Sequence, residues 1–275
     1  MTSAEHDRLM RANQANWDAR TPVHLASRFY GLDQDLDPER WFAPFEWEDL
    51  GDLAGRDVLH LQCHLGTETL AFARRGARAV GLDFSAASVA AASGIARRAG
   101  ADVRYVCANV YDAVEALDGR QFDVVYTGKG ALCYLPDLDR WARTVARLLR
   151  PGGLLYVVEF HPLLHALGPK PAPGEGPELL LRHDYLGGGG PVHRDGTHTY
   201  TDGPPVRGAT DSYEWMHGIG EVVTASVRAG LTVRQLRETG ELPWPRWPQA
   251  VRTESGWWRL PEPRIPLLYG LSAVR

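Results

Sequence analysis

Asp57-Val-Leu-His-Leu61 is a short apolar run, and Gln62-Cys-His-Leu-Gly66 carries it straight into Thr67 to Arg75, where Leu70, Phe72 and Ala73 recur at helical spacing. Strand, tight loop and helix in immediate succession open a βαβ unit. The pattern repeats downstream. Ala79-Val-Gly-Leu82 reads as a second strand, and Ser85 to Ala99 as a helix with Ser85 as N-cap and Gly100 as its stop. Val103 to Val106, Phe122 to Tyr126 and Leu154 to Glu159 complete five strands, with a helix over Leu138 to Leu149 and a turn at Arg150-Pro-Gly-Gly153 that suits antiparallel neighbours. Strands alternating with helices predict a doubly wound α/β sheet whose ligand lies at the carboxyl ends of the strands.

Outside this block Ser3 to Asp18 predicts a helix lying off the sheet. Beyond His161 the regularity fails: Pro169 to Pro177 is rich in proline and glycine, and Gly187 to Gly190 is four glycines in a row. A helix over Glu214 to Ala229 and strands at Leu231 to Glu238 and Ile265 to Val274 follow. One domain over residues 1–275 is expected: a helical cover (1–50), a core (51–160), an inserted lid (161–213) and a closing helix with strands (214–275).

With 30 basic against 34 acidic residues the formal charge is −4, so no basic surplus exists to neutralise a phosphate backbone, and nucleic acid is not an expected partner. The longest apolar run, Gly152 to Phe160, is far short of the ~20 residues a membrane helix needs. The charged start is no secretory pattern, which places the chain in the cytoplasm. Three cysteines, Cys63, Cys107 and Cys133, lack disulfide or zinc spacing, and the ten histidines form no His-Glu-x-x-His run, so no metal is expected. Oligomeric state stays open, a homodimer included.

The loops at the strand ends carry the chemistry. Gly66 lets backbone pass close to a ligand, and Asp83, seventeen residues later at the end of a strand, stands where an acid accepts both ribose hydroxyls. It also reads as a plain acid at a helix start. Taken together, Val58-Leu-His-Leu-Gln-Cys-His-Leu-Gly66, Val80-Gly-Leu-Asp83, Ala108-Asn109, Phe122-Asp-Val-Val125 and Leu149-Arg-Pro-Gly-Gly153 resemble the class I S-adenosylmethionine-dependent methyltransferases over about residues 40 to 160. His60, Gln62 and His64 stand where that family carries an acid and two glycines. The resemblance implies a Rossmann-like sheet, mostly parallel with an antiparallel last strand, and S-adenosyl-L-methionine as cofactor.

It further implies that Asp83 binds the ribose, Phe84 packs on adenine, and Asn109 with Val110 meets the adenine edge. Thr127, Gly128 and Lys129 pass beneath the methionyl part, and Gln62, His64, Trp17 and Arg20 are added for its amino-acid end. Plainer readings stand beside these: Asn109 as a turn former, Phe84 as core. On the acceptor side His161 is the expected base, with Glu159 orienting it and Tyr30 as a further catalytic candidate. His24, Tyr30, Tyr185, Tyr213, Trp215, His217, Trp244, Trp247, Trp257 and Trp258 form either an aromatic wall for a flat small molecule or plain packing. The expected activity is methyl transfer to a small, aromatic, natural-product-type acceptor. A nicotinamide oxidoreductase and a non-catalytic S-adenosylmethionine-binding protein are the alternatives; the first expects Gly-x-Gly-x-x-Gly, where this chain has glutamine and histidine.

Overall fold

The computed structural model describes residues 2–32, 36–168, 178–186, 188 and 190–275. Helix α1 (Ser3–Leu25) and the short α2 (Pro44–Leu50) precede the alternating core: β1 (Asp57–Leu61), α3 (Thr67–Arg74), β2 (Arg78–Asp83), α4 (Ala86–Arg98), β3 (Arg104–Cys107), α5 (Ala113–Ala116), β4 (Phe122–Thr127), α6 (Leu138–Leu148) and β5 (Leu149–Phe160). The rest is α7 (Pro162–Ala166), β6 (Val192–Asp195), β7 (Asp211–Glu214), α8 (Ile219–Arg228), β8 (Thr232–Thr239), β9 (Glu241–Leu242), β10 (Val251–Arg252), β11 (Trp258–Arg259) and β12 (Leu268–Val274). Among the described residues a seven-stranded sheet runs in the order β3-β2-β1-β4-β5-β12-β8, parallel from β3 to β5, with β12 antiparallel to both its neighbours.

Burial on both faces explains the near-continuous apolar strands. Leu59 and Leu61 of β1 meet Val125, Leu155, Val157 and the α6 residues Trp141, Val145 and Leu148 on one face. Val58, one position out of phase, packs with Val124, Tyr126, Tyr156, Phe42 and Phe72 on the other. The order reverses at β1 and β4, so their carboxyl ends frame the crevice where such sheets bind ligands.

Several expectations are corrected. The Arg150 to Gly153 turn does not separate antiparallel neighbours. β5 begins at the helix end, contains Pro151 and both glycines, and lies parallel to β4 with a register shift. Helix α1 continues through Pro22, since only one N–H is lost there and the side chain of Thr21 donates back to the Trp17 carbonyl at 2.9 Å. Glu214 ends a strand instead of starting a helix; Gly218 caps α8. The irregular region holds the hairpin β6–β7 and the helix α7, while its proline-rich 169–177 and glycines 187 and 189 lie outside the described residues. No helix among the described residues is long and apolar enough to cross a membrane.

The N-terminal helix covers the carboxyl edge of the sheet by polar side chains, not by an apolar stripe. Asn13 exchanges two hydrogen bonds with the Tyr213 backbone, and Asn16 donates to the Ala209 carbonyl at 2.8 Å. Gln14 donates to the Phe84 carbonyl at 2.8 Å, and Asp18 accepts from Ser85 Oγ and the Ala87 amide. Helix α1 therefore ties the β6–β7 hairpin to the loop after β2.

Candidate active site

Gly66 ends the first loop with φ +68°, and a Cβ there would lie 2.5 Å from the Tyr105 ring, so only glycine fits. Gln62 and His64, which stand where the resembling family has glycines, keep the left-handed backbone at φ +56° and +47°. Each non-glycine residue there costs of order 1 kcal/mol. Their side chains offset this by fastening the loop. Gln62 donates to the Ala131 carbonyl at 2.8 Å, bridging to the loop after β4.

His64 is fastened by a chain of hydrogen bonds whose direction can be deduced. Thr21 donates to Trp17, so Ser88 must donate to Thr21 and accept from His64 Nδ1–H. His64 Nε2 then accepts from His24 Nδ1–H at 2.8 Å, and His24 Nε2 accepts from Thr199 at 2.6 Å. Both imidazoles are neutral, because burial lowers their proton affinity, that of His24 to a pKa of about 3. The wire joins α1, α4 and the β6–β7 connection to the first loop.

Asp83 closes β2 and is 6 % exposed. One oxygen accepts from the His64 amide and the other from the Ser85 amide, each at 2.9 Å, while burial pushes its pKa up to about 6. Asp83 thus braces two loops and also lines the cavity. Asn109 likewise caps the turn over Val110–Asp112 through the Tyr111 amide at 3.0 Å and lines the same space.

That space is a cavity of about 980 Å³ over the carboxyl ends of the sheet. Of the candidates named from sequence, Trp17, Tyr30, Gln62, His64, Asp83, Phe84, Asn109, Val110, Gly128 and Lys129 line it. Lys129 is held by buried Glu46 at 2.9 Å, and Tyr30 by Tyr200 at 2.5 Å.

Five candidates do not reach it. Gly66 lies behind the loop it shapes. Arg20 is buried with its guanidinium 5.2 Å from the centre of the Trp17 ring and is not among the lining residues. Thr127 is fully buried in the sheet. The carboxylate of Glu159 accepts from the amides of Gly130, Ala131, Leu132 and Phe160 at 2.5 to 3.0 Å, so it clamps the loop after β4 instead of orienting a base. His161 caps α7 by accepting from the Leu163 amide and donates to Glu238 at 2.8 Å. Its ring is engaged on both nitrogens, away from the cavity.

Of the expected aromatic wall, Tyr30 and Trp244 face the cavity, whereas Trp247 and Trp257 are core. The cavity wall also contains residues not singled out from sequence: Glu68, His165, Arg194, Glu214 and Arg246. Glu68, two residues after Gly66 in the first turn of α3, was legible as an acid at a helix start. The others arrive from segments without periodicity and meet only in the fold.

Residues 58–153 match the family described as a methyltransferase domain. A ubiquinone biosynthesis O-methyltransferase of Rhizobium rhizogenes (strain K84 / ATCC BAA-868) is 33% identical over 114 residues, 42% of this chain and 45% of that protein. This chain spans about half the length of the curated relatives it matches. In fold it is similar to a Listeria monocytogenes protein ascribed to the S-adenosylmethionine-dependent methyltransferases, with TM-score 0.60, 20% identity and coverage of 84% and 97% of the two chains. A Mesorhizobium loti S-adenosylmethionine-dependent methyltransferase gives TM-score 0.54, 22% identity and coverage of 89% and 100%. Residues 58–153 thus match a methyltransferase domain, and the fold around them is the one these two structures share.

Proposed function

We propose that this protein transfers a methyl group from S-adenosyl-L-methionine to a small aromatic acceptor. The observation that carries the reading is Asp83, a carboxylate at the tip of β2 that lines a cavity large enough for a nucleoside and a second small molecule. The residues present fit the cofactor. Asp83 retains lone pairs beyond its two amide bonds for a ribose diol, and Phe84, Asn109 and Val110 supply the adenine wall. The Oε1 atom of Gln62 is buried without a partner among the described residues, which suits a ligand donor. Glu68, which has no cationic partner among the described residues, suits an ammonium group.

When bound, the cofactor supplies an electrophilic methyl group for in-line displacement. The protein's task is to orient the acceptor, exclude water and take up a proton if the acceptor loses one. Trp17, Tyr134 and Tyr30 under the α1 cover shield the chamber from water. In place of His161, the imidazole of His165 on α7 lines the cavity, as those of His60, His64 and His183 do, and burial lowers the proton affinity of His165. The curated relatives, named O-methyltransferases, make an oxygen acceptor the first to try.

Calorimetric titration tests the reading. S-adenosylhomocysteine should bind and NAD should not, and Asp83→Ala should weaken uptake at least tenfold. Equal binding of NAD, or uptake indifferent to Asp83, would defeat it. Release of S-adenosylhomocysteine with phenolic acceptors separates an enzyme from a binding protein.

A further inference from the structure

The charges along the cavity wall do not cancel in place. Lys129 is paired with Glu46, and Arg194 with Glu214 at 3.0 Å. Asp83 and Glu68 remain as acids at the β1–β2 end, where the cofactor's ribose and cationic groups belong in the proposed reading. At the opposite end Arg246 remains as a cation. It donates to the Gly168 carbonyl, and among the described residues its buried Nε has no partner and no carboxylate pairs with it. Gly168 follows α7, which continues from β5, and β5 stands three strand spacings from β2, about 14 Å along the rim. Arg246 thus stands at the β5 side of the cavity, which in the proposed reading is the acceptor side.

Beside it the wall is apolar: Phe160 and Trp244 meet edge to face at 5.1 Å, with Leu164 and Pro243 alongside. A partly desolvated guanidinium next to aromatic rings matches a flat ring that bears an anionic group. We propose that the acceptor is an aromatic carboxylic acid, its carboxylate bound by Arg246 and its ring held against Phe160 and Trp244. This deepens the methyl-transfer reading and rests on it for the word acceptor. His165 lines the same stretch, so an acid anchored on Arg246 presents its other substituents to that imidazole.

Matched pairs test this: 4-hydroxybenzoate against 4-hydroxybenzamide, and indole-3-carboxylate against its amide, each titrated with and without S-adenosylhomocysteine. The acids should bind at least tenfold tighter than the amides. Arg246→Gln should weaken acid binding on the order of 30-fold while leaving amide binding and S-adenosylhomocysteine uptake unchanged. Arg246→Lys, which keeps the charge without the fork, should recover part of the loss. Equal binding of acids and amides, an Arg246→Gln protein that holds acids as wild type does, or no acid binding at all would overturn the proposal. Failure of wild type to take up S-adenosylhomocysteine would defeat methyl transfer instead, while an acid preference lost with Arg246 would still establish the anion site.

Discussion

Replacing Glu159 by alanine should destabilise the protein and, through one loop, its site. The carboxylate, 6 % exposed, accepts four amide hydrogens, and those of Ala131 and Leu132 are buried. Alanine would leave at least these two donors unsatisfied at about 1–3 kcal/mol each, or about 2–6 kcal/mol together. For a chain of this length that is a fall in Tm of about 3–10 °C. Because the clamped loop supplies Gly128, Lys129, Gly130 and Ala131 to the cavity, S-adenosylhomocysteine affinity should fall with it. Glu159→Gln keeps one carbonyl acceptor and should lose less stability than alanine. Scanning calorimetry and titration on the same preparations read both effects. A Glu159→Ala protein within 1 kcal/mol of wild type that had lost turnover alone would refute the clamp and restore a direct catalytic role.

His161→Ala should remove an N-cap worth about 1 kcal/mol and leave S-adenosylhomocysteine affinity within twofold, by denaturation and titration; a severe loss of turnover at normal stability would reinstate it as the base. Lys129→Met leaves buried Glu46 without its cation, and urea denaturation should show a loss of about 3–5 kcal/mol. The Asp83 pKa of about 6 lies above its unfolded value of 3.8, so the native state holds this proton more tightly and charged Asp83 opposes folding as pH rises through that window. Ligand binding has the opposite sign. Affinity for S-adenosylhomocysteine should weaken as pH falls below about 6, because protonation removes an acceptor, and Asp83→Asn should show a flat profile across that range.

The sheet was legible because buried parallel strands are short apolar runs whatever surrounds them. β1 to β4, the second half of β5, Ser85 as N-cap and the antiparallel β12 appear where the patterns and the family resemblance put them, to within a few residues at their ends. Helix α1 beyond Asp18 was not, since Pro22 is a stop signal in sequence that side-chain bonds override. Residues 214–218 read as helix because Val222 and its neighbours continue a helical period that Gly218 interrupts. In the site, positions fixed by strand ends were legible: Asp83, Asn109, Gln62 and His64 all line the cavity or its loop. Glu159 and His161 were misassigned because a strand end supplies both site residues and loop braces, and only their partners, four amides and Glu238, tell which. Arg246, His165 and Arg194 come from segments with no period, and nothing local announces that they converge.

Co-crystallisation with S-adenosylhomocysteine addresses the assignment of this cavity most directly. The ribose hydroxyls should lie within hydrogen-bonding distance of Asp83, the adenine beside Phe84 and Asn109, and the space toward Trp244 and Arg246 should stay open. A nucleoside seated elsewhere, or an adenine turned toward Arg246, would contradict the functional assignment.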